Sequence, residues 1–284
     1  MGKTVPMRRY VLRITCQDRP GIVLATAQAI VEAEGNIVES DQFSDPVTGL
    51  FCIRTCFDSR ADPAARLAAN LAPFDATIGL RPLERRHRML VMVSRLDHCL
   101  ADLLYRRQLG ELPADIPLVV SNHPDLEPLA ARHGIPFVQL EATPSNREEA
   151  GRELAKLIEE NEIDDVVLAR YMQILSPEVC RRYAGRIINI HHSFLPGFRG
   201  AKPYHQAYEH GVKLIGATAH YVTAELDEGP IIAQDVEPVT HATEPEELIA
   251  IGRDIERAVL ARAVRLHAED RVVLAGRRTI VFTG

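Results

Sequence analysis

The sequence predicts an α/β protein in two parts: a ferredoxin-like βαββαβ unit over residues 1–86, then a Rossmann-like unit with a mostly parallel sheet over residues 87–284. Three observations lead there. Residues 8–84 read strand, helix, strand, strand, helix, strand. The run Arg81-Pro82-Leu83-Glu84-Arg85-Arg86-His87-Arg88 then breaks the pattern with charge and proline. From Met89 onward short apolar strands alternate with helices, which implies parallel strands covered on both faces. A chain of 284 residues also suits about two domains.

The first unit is built from a strand over Arg9–Thr15, a helix over Gly21–Glu34, and strands over Asn36–Phe43 and Leu50–Asp58 joined by the turn Asp45-Pro46-Val47-Thr48-Gly49. A helix over Pro63–Leu71 and a strand over Thr77–Leu83 complete it. In the second unit strands are expected at Met89–Ser94, Pro117–Ser121, Pro136–Leu140, Val166–Arg170 and Arg186–His191. Helices begin near Asp97, Asp125, Asn146 and Pro177. The end of the chain reads as one long amphipathic helix, Glu244–Ala268, and a hairpin pairing Arg271–Leu274 with Thr279–Phe282. In such a sheet, ligand-binding residues belong just after the strands.

Composition narrows the function classes. The chain is 46% hydrophobic and 25% charged, which excludes disordered and fibrous readings. Its 33 Lys and Arg against 39 Asp and Glu give a net charge of -6, so no general attraction to nucleic acid or anionic membrane is expected. The longest uncharged stretches, such as Pro20–Val31, fall well short of a membrane span of ~20 residues. Arg13 and Asp18 interrupt any apolar run that would make the N-terminus a signal peptide, and a cytoplasmic location is expected. The scattered cysteines Cys16, Cys52, Cys56, Cys99 and Cys180 suit reduced thiols. Cys52 and Cys56 lack a second ligand pair and read as core and surface positions of a strand.

One loop of the first unit has a functional look. Asp18-Arg19-Pro20-Gly21-Ile22 joins the first strand to the first helix, where free backbone N–H groups suit a carboxylate. Pro20 and Gly21 opening the helix, with Asp18 as its cap, explains the same residues structurally. Asp18-Arg19-Pro20-Gly21-Ile22-Val23, Glu34-Gly35-Asn36-Ile37 and the element order resemble an ACT domain, an amino-acid-sensing module. The resemblance implies assembly into a homo-oligomer, a dimer or tetramer, and an amino-acid effector such as glycine or methionine at Asp18, Arg19, Pro20, Gly21 and Asn36.

The chemistry lies in the second unit. In Ile187-Ile188-Asn189-Ile190-His191-His192, strand alternation puts Asn189 and His191 on one face and His192 on the other. A proline- and glycine-bearing loop, Ser193-Phe194-Leu195-Pro196-Gly197-Phe198-Arg199-Gly200, follows. Asp227 sits in Leu226-Asp227-Glu228-Gly229-Pro230-Ile231-Ile232, just ahead of a strand. An amide, an imidazole and a carboxylate form an acyl-transfer or hydrolytic set with no side-chain nucleophile. From spacing alone His191 reads more readily as a structural histidine than as a catalytic one. No pair among His191, His192, His205 and His220 has metalloprotease spacing and no cysteine joins them, so no metal is expected.

Asn189-x-His191, Ser193-x-Leu195-Pro196, Phe198-x-Gly200, Gly216-x-Thr218-x-His220 and Asp227-x-Gly229-Pro230-Ile231-Ile232 resemble the formyltransferase fold that handles 10-formyltetrahydrofolate. Its Asn, His and Asp triad has the Asp 36 residues beyond the His, the spacing of His191 and Asp227. The resemblance implies that the folate is substrate, that no separate cofactor is needed, and that Asn189, His191 and Asp227 are catalytic. It further implies a pterin slot at Met172, Gln173, Ile174 and Leu175, with His220 and Gly229 beside the substrate; a helix start packing into the core, and a core role for His220, explain the same residues structurally. Lys202 and Arg199 are candidates for an anionic folate tail.

The acceptor follows from what the chain lacks. Glycinamide ribonucleotide transformylases carry a glycine-containing phosphate loop after the first strand. Here Val93-Ser94-Arg95-Leu96-Asp97-His98-Cys99-Leu100 has no glycine, and Asp97 would repel a phosphate. Methionyl-tRNA formyltransferases add a basic RNA-binding domain, yet only 44 residues follow Thr240 in this acidic chain. An ACT-like unit ahead of this fold, with Asp97-His98-Cys99-Leu100-x-Asp102-Leu103-Leu104-Tyr105-Arg106, resembles the formyltetrahydrofolate deformylases, in which water takes the formyl group. The ribonucleotide transferase and an inactive amino-acid or folate sensor are the alternatives.

Overall fold

The computed structural model describes residues 7–197 and 203–283. They form two compact units: one runs to Arg86 and adds Asp270–Ala275 and the described residues from Ile280, and the other is His87–Glu269 with Gly276–Thr279.

The first unit contains β1 (Arg8–Gln17), α1 (Ile22–Glu32), β2 (Gly35–Ser44), β3 (Leu50–Ser59), α2 (Ala64–Leu71) and β4 (Thr77–Pro82). Its antiparallel sheet has the order β2-β3-β1-β4, the arrangement that the βαββαβ reading requires. Alternation along β1 sends Tyr10, Leu12, Ile14 and Cys16 into one core with Ile22 and Ile30 of α1 and Leu67 and Leu71 of α2. Phe57 is completely buried there, an apolar contribution of ~2–3 kcal/mol. The β2–β3 turn is closed by Asp45, whose carbonyl accepts from Gly49 N–H at 2.8 Å and whose carboxylate accepts from Thr48 Oγ1 at 2.7 Å.

The second unit contains β5 (His87–Val93), α3 (His98–Leu109), β6 (Ala114–Ser121), α4 (Glu127–Arg132), β7 (Phe137–Gln139), α5 (Arg147–Glu160) and β8 (Asp165–Leu168). It continues with α6 (Pro177–Arg182), β9 (Ile187–His191), α7 (Pro203–Glu209), β10 (Leu214–Tyr221), β11 (Ile231–Pro238) and α8 (Pro245–Ala268). The sheet order is β11-β10-β9-β8-β5-β6-β7. Strands β5 to β9 pair in parallel, whereas β10 and β11 add an antiparallel edge that strand-helix alternation alone does not foretell. The chain reverses its winding between β5 and β8, so a crevice opens beyond their carboxyl ends. Leu90, Met92, Val166 and Leu168 fill the core beneath it.

After α8 the chain forms the hairpin of β12 (Val272–Ala275) and β13 (Arg278–Val281). The sequence places this hairpin with residues 87–284, but most of it belongs to the first unit. Val273 and Phe282 pack with Cys52 in a small apolar cluster there. The ion pairs agree: Asp270, 5% exposed, meets Arg81 at 2.7 Å and Arg13 at 3.3 Å, and Arg271 meets Glu39 at 2.8 Å. Cys52 and Cys56 are both buried free thiols, because positions four apart on a strand share a face and this hairpin covers it near Cys52. Among the described residues no helix is long and apolar enough to cross a membrane.

Candidate active site

The antiparallel pairing of β9 with β10 assembles the central residues. Its register sets His220 opposite Asn189 and Thr218 opposite His191. The Nδ2 of Asn189 lies 3.2 Å from Nε2 of His220, and Nδ1 of His220 lies 2.9 Å from the Tyr221 carbonyl. That carbonyl can only accept, so Nδ1–H donates to it; Nε2 of the neutral ring accepts one amide hydrogen of Asn189, and Nε2–H of the protonated ring faces Asp227. The side-chain amide is thereby fixed, with its second N–H directed elsewhere.

Asp227 reaches this pair from the β10–β11 connection. Its Oδ2 is 3.3 Å from Nδ1 of His191 and its Oδ1 is 3.7 Å from Nε2 of His220. The connection folds tightly because Tyr221 N–H donates to the Pro230 carbonyl at 2.9 Å. Gly229 is indispensable to that turn, since a Cβ there would stand 1.6 Å from the Tyr221 carbonyl oxygen. Asp227 itself has φ of +56°, in the left-handed region that aspartate tolerates better than most residues. Burial works to raise its carboxyl pKa, but hydrogen bonds and charge from His191 and His220 outweigh burial and hold it well below the usual range. A half-buried setting therefore does not turn Asp227 into a stronger base.

The loop after β9 is pinned from β10. Thr218 Oγ1 donates to the Ser193 carbonyl at 2.9 Å, and accepts from Leu195 N–H at 3.0 Å and from Gln234 Nε2 at 2.9 Å. The Leu195-Pro196 peptide is cis. Phe198, Arg199, Gly200 and Lys202 lie outside the described residues.

A cleft of about 420 Å³ runs past Asn189, His191, His220 and Asp227 to Met172 and Ile174. Gln173 and Leu175 line it as well. Met172 and Ile174 are exposed apolar residues, as a slot for a flat ring system requires. Met172 N–H donates to Ser94 Oγ at 3.0 Å, and Ser94 donates to Asn122 Oδ1 at 2.6 Å, so the loops after β5, β6 and β8 are tied across the winding reversal.

Sequence reasoning missed His192. Its ring stacks on His191 at 4.9 Å and lines the same cleft, since β9 ends at His191 and alternation no longer applies beyond it. Burial first, then the positive charges of Arg170 and His191, lower its pKa to about 4. Two groups of metal-ligating atoms occur among the described residues: His87 with Asp165 and His267, and His98 with Cys99 and Glu256. In the first the ligand atoms are already joined at 2.7 and 2.8 Å, and in the second Arg170 lies 3.3 Å from the carboxylate. Neither group includes the Asn189, His191 and Asp227 set.

The residues singled out in the first unit do not form one cluster within a chain. The Asp18 carboxylate accepts from Ser44 Oγ, and Arg19 donates to the Pro73 carbonyl while its guanidinium stands 4.8 Å over Phe74. Pro20 precedes Gly21, which caps α1 with φ of +101°. Asn36 pairs with Asp58 at the opposite end of the ten-residue strands from Gln17 and Leu50, where this loop begins.

Residues 87–264 match the formyl transferase family. A formyltetrahydrofolate deformylase of Bacillus subtilis is 47% identical over 278 residues, covering 95% of this chain and 93% of the relative. The crystal structure of a formyltetrahydrofolate deformylase from Burkholderia mallei superposes with a TM-score of 0.93 at 46% identity, covering 97% of this chain and all (100%) of the other. A glycinamide ribonucleotide transformylase of Symbiobacterium toebii reaches a TM-score of 0.65 at 34% identity, covering 69% of this chain and 94% of its own. With both units matched throughout by deformylases, the chain belongs to the formyltetrahydrofolate deformylase family.

Proposed function

We propose that the protein hydrolyses 10-formyltetrahydrofolate to formate and tetrahydrofolate. The observation that carries this reading is the convergence of Asn189, His191 and Asp227 in a cleft that Met172 and Ile174 also line. The formyl oxygen lies toward Asn189 and His191, and the second amide N–H of Asn189 and the His191 imidazole stabilise the negative charge that develops when water adds to the formyl carbon. Asp227 holds that water as a hydrogen-bond acceptor. Its carboxyl is held too low to keep a proton, so Asp227 orients the water and the proton passes on to the leaving nitrogen as the carbon–nitrogen bond breaks. His220 supports both partners, and Gly229 serves the site by letting the turn close beneath Asp227.

None of these roles calls for a metal or a separate cofactor, the folate being substrate. The first unit acts as an ACT-like regulator and assembly module, taking an amino acid such as glycine or methionine. Because residues 18–21 and Asn36 lie at opposite ends of the sheet, such a site is completed by a second copy of the chain. Exposed Val23, Leu24 and Val31 on α1 and Ile37, Val38 and Phe43 on β2 support assembly into a dimer or tetramer.

The test is to incubate purified protein with 10-formyltetrahydrofolate and measure formate, with and without glycinamide ribonucleotide. Formate without acceptor is expected, and transfer only in its presence would replace this reading with the transferase. Asp227→Asn should lower formate release at least 1,000-fold with folate affinity nearly unchanged, on the scale of removing a member of a catalytic set. An undiminished rate would remove Asp227 from the mechanism.

A further inference from the structure

Among the described residues that line the cleft, Arg170 is a charged group with two unsatisfied donor atoms. It follows β8 directly with φ of +62°, and it lines the cleft together with His191, His192 and Asp227. Its side chain is only 12% exposed, yet Nε and Nη1 are buried with no hydrogen-bond acceptor among the described residues. Glu256 lies 3.3 Å away and balances its charge. The two oxygens of that carboxylate are already engaged, Oε2 by His98 Nε2 at 2.8 Å and Oε1 by the Tyr204 hydroxyl at 2.6 Å. Burial works to raise the Glu256 carboxyl, but His98, Arg170 and Tyr204 together hold it below its usual value. The guanidinium is thus held in place by charge while its Nε and Nη1 donors stay unsaturated.

An arginine with unsaturated N–H donors suits a carboxylate, to which it gives charge-assisted hydrogen bonds. The reaction proposed above produces one. Water adds to the formyl carbon, the carbon–nitrogen bond breaks, the leaving nitrogen takes a proton, and the formic acid so formed gives up its own proton to become formate. We propose that Arg170 binds that formate through its guanidinium and governs its release, with Glu256 as the positioning residue that keeps that group in place. The inference rests on the hydrolytic reading.

The experiment is a titration of ¹³C-formate, followed by NMR, into the wild-type protein, Arg170→Lys and the charge-balanced pair Arg170→Met with Glu256→Gln. Formate is also tested as an inhibitor of 10-formyltetrahydrofolate hydrolysis. Formate affinity should fall at least tenfold in the double variant and severalfold in Arg170→Lys, with the inhibition constant rising in step. Unchanged affinity in folded variants, or no binding to the wild type at about 100 mM formate, would overturn the assignment. If thermal melting shows the double variant unfolded, Arg170→Lys decides. A wild-type protein that binds formate through Arg170 but releases none from the folate would instead sink the hydrolytic reading.

Discussion

Asp227 meets two imidazoles from a backbone conformation that few side chains adopt, and its ionisation is tied to folding. A carboxyl held below its usual value binds its proton later in the folded state than in the unfolded chain. The stability this contributes is fully present above the unfolded value of ~3.9 and is lost as pH falls further toward the folded value. Asp227→Asn should therefore lower the melting temperature at pH 7, with the difference narrowing below about pH 4. A difference that stays constant with pH would contradict the pairing. At this scale the sequence is legible wherever spacing along one strand decides the outcome: Asn189 and His191 share a face as period-two alternation requires. His192 escapes that logic because the strand stops one residue earlier. Arg170, Glu256 and His98 escape it for a different reason, being brought together from three elements by the winding of the sheet, with no local pattern to announce them.

At the scale of elements, the β10–β11 connection is where geometry is most exacting. Gly216-x-Thr218-x-His220 is visible as a motif, and β10 shows why: Thr218 secures the loop after β9 while His220 orients Asn189. Gly229→Ala should slow formate release about 100-fold, as expected when a catalytic group is displaced by an ångström or so. Folate affinity through the Met172 loop should change far less, and a rate near wild type would show that the turn can absorb a Cβ. The antiparallel edge itself is less legible. Short apolar runs signal strands but carry no direction, and only the observed register reveals that β10 runs against β9.

At the scale of the whole molecule, the sequence locates the division near residue 86 but misassigns the terminal hairpin, whose partners are remote in sequence. Asp270 lies 2.7 Å from Arg81 and is buried. Asp270→Ala would leave Arg81, 12% exposed, without its carboxylate, and urea denaturation should show a loss of ~3 kcal/mol, the scale of a broken buried pair. A loss confined to a few tenths would mean that Arg81 finds another acceptor. Formate release per folded molecule should survive, because the Asn189, His191 and Asp227 set lies wholly in the other unit.

The hairpin also fixes an order of events during synthesis. Domains ordinarily fold as they leave the ribosome, the N-terminal one first. Here residues up to Arg86 emerge early, while Val273 and Phe282, which pack against Cys52, emerge only after residues 87–269 have been made. The first unit's main core, built from residues 10–80, can form early, but the small apolar cluster at Cys52 is completed only when nearly the whole polypeptide exists. A nascent chain interrupted anywhere before Asp270 thus lacks Val273 and Phe282 and leaves Cys52 without that cover.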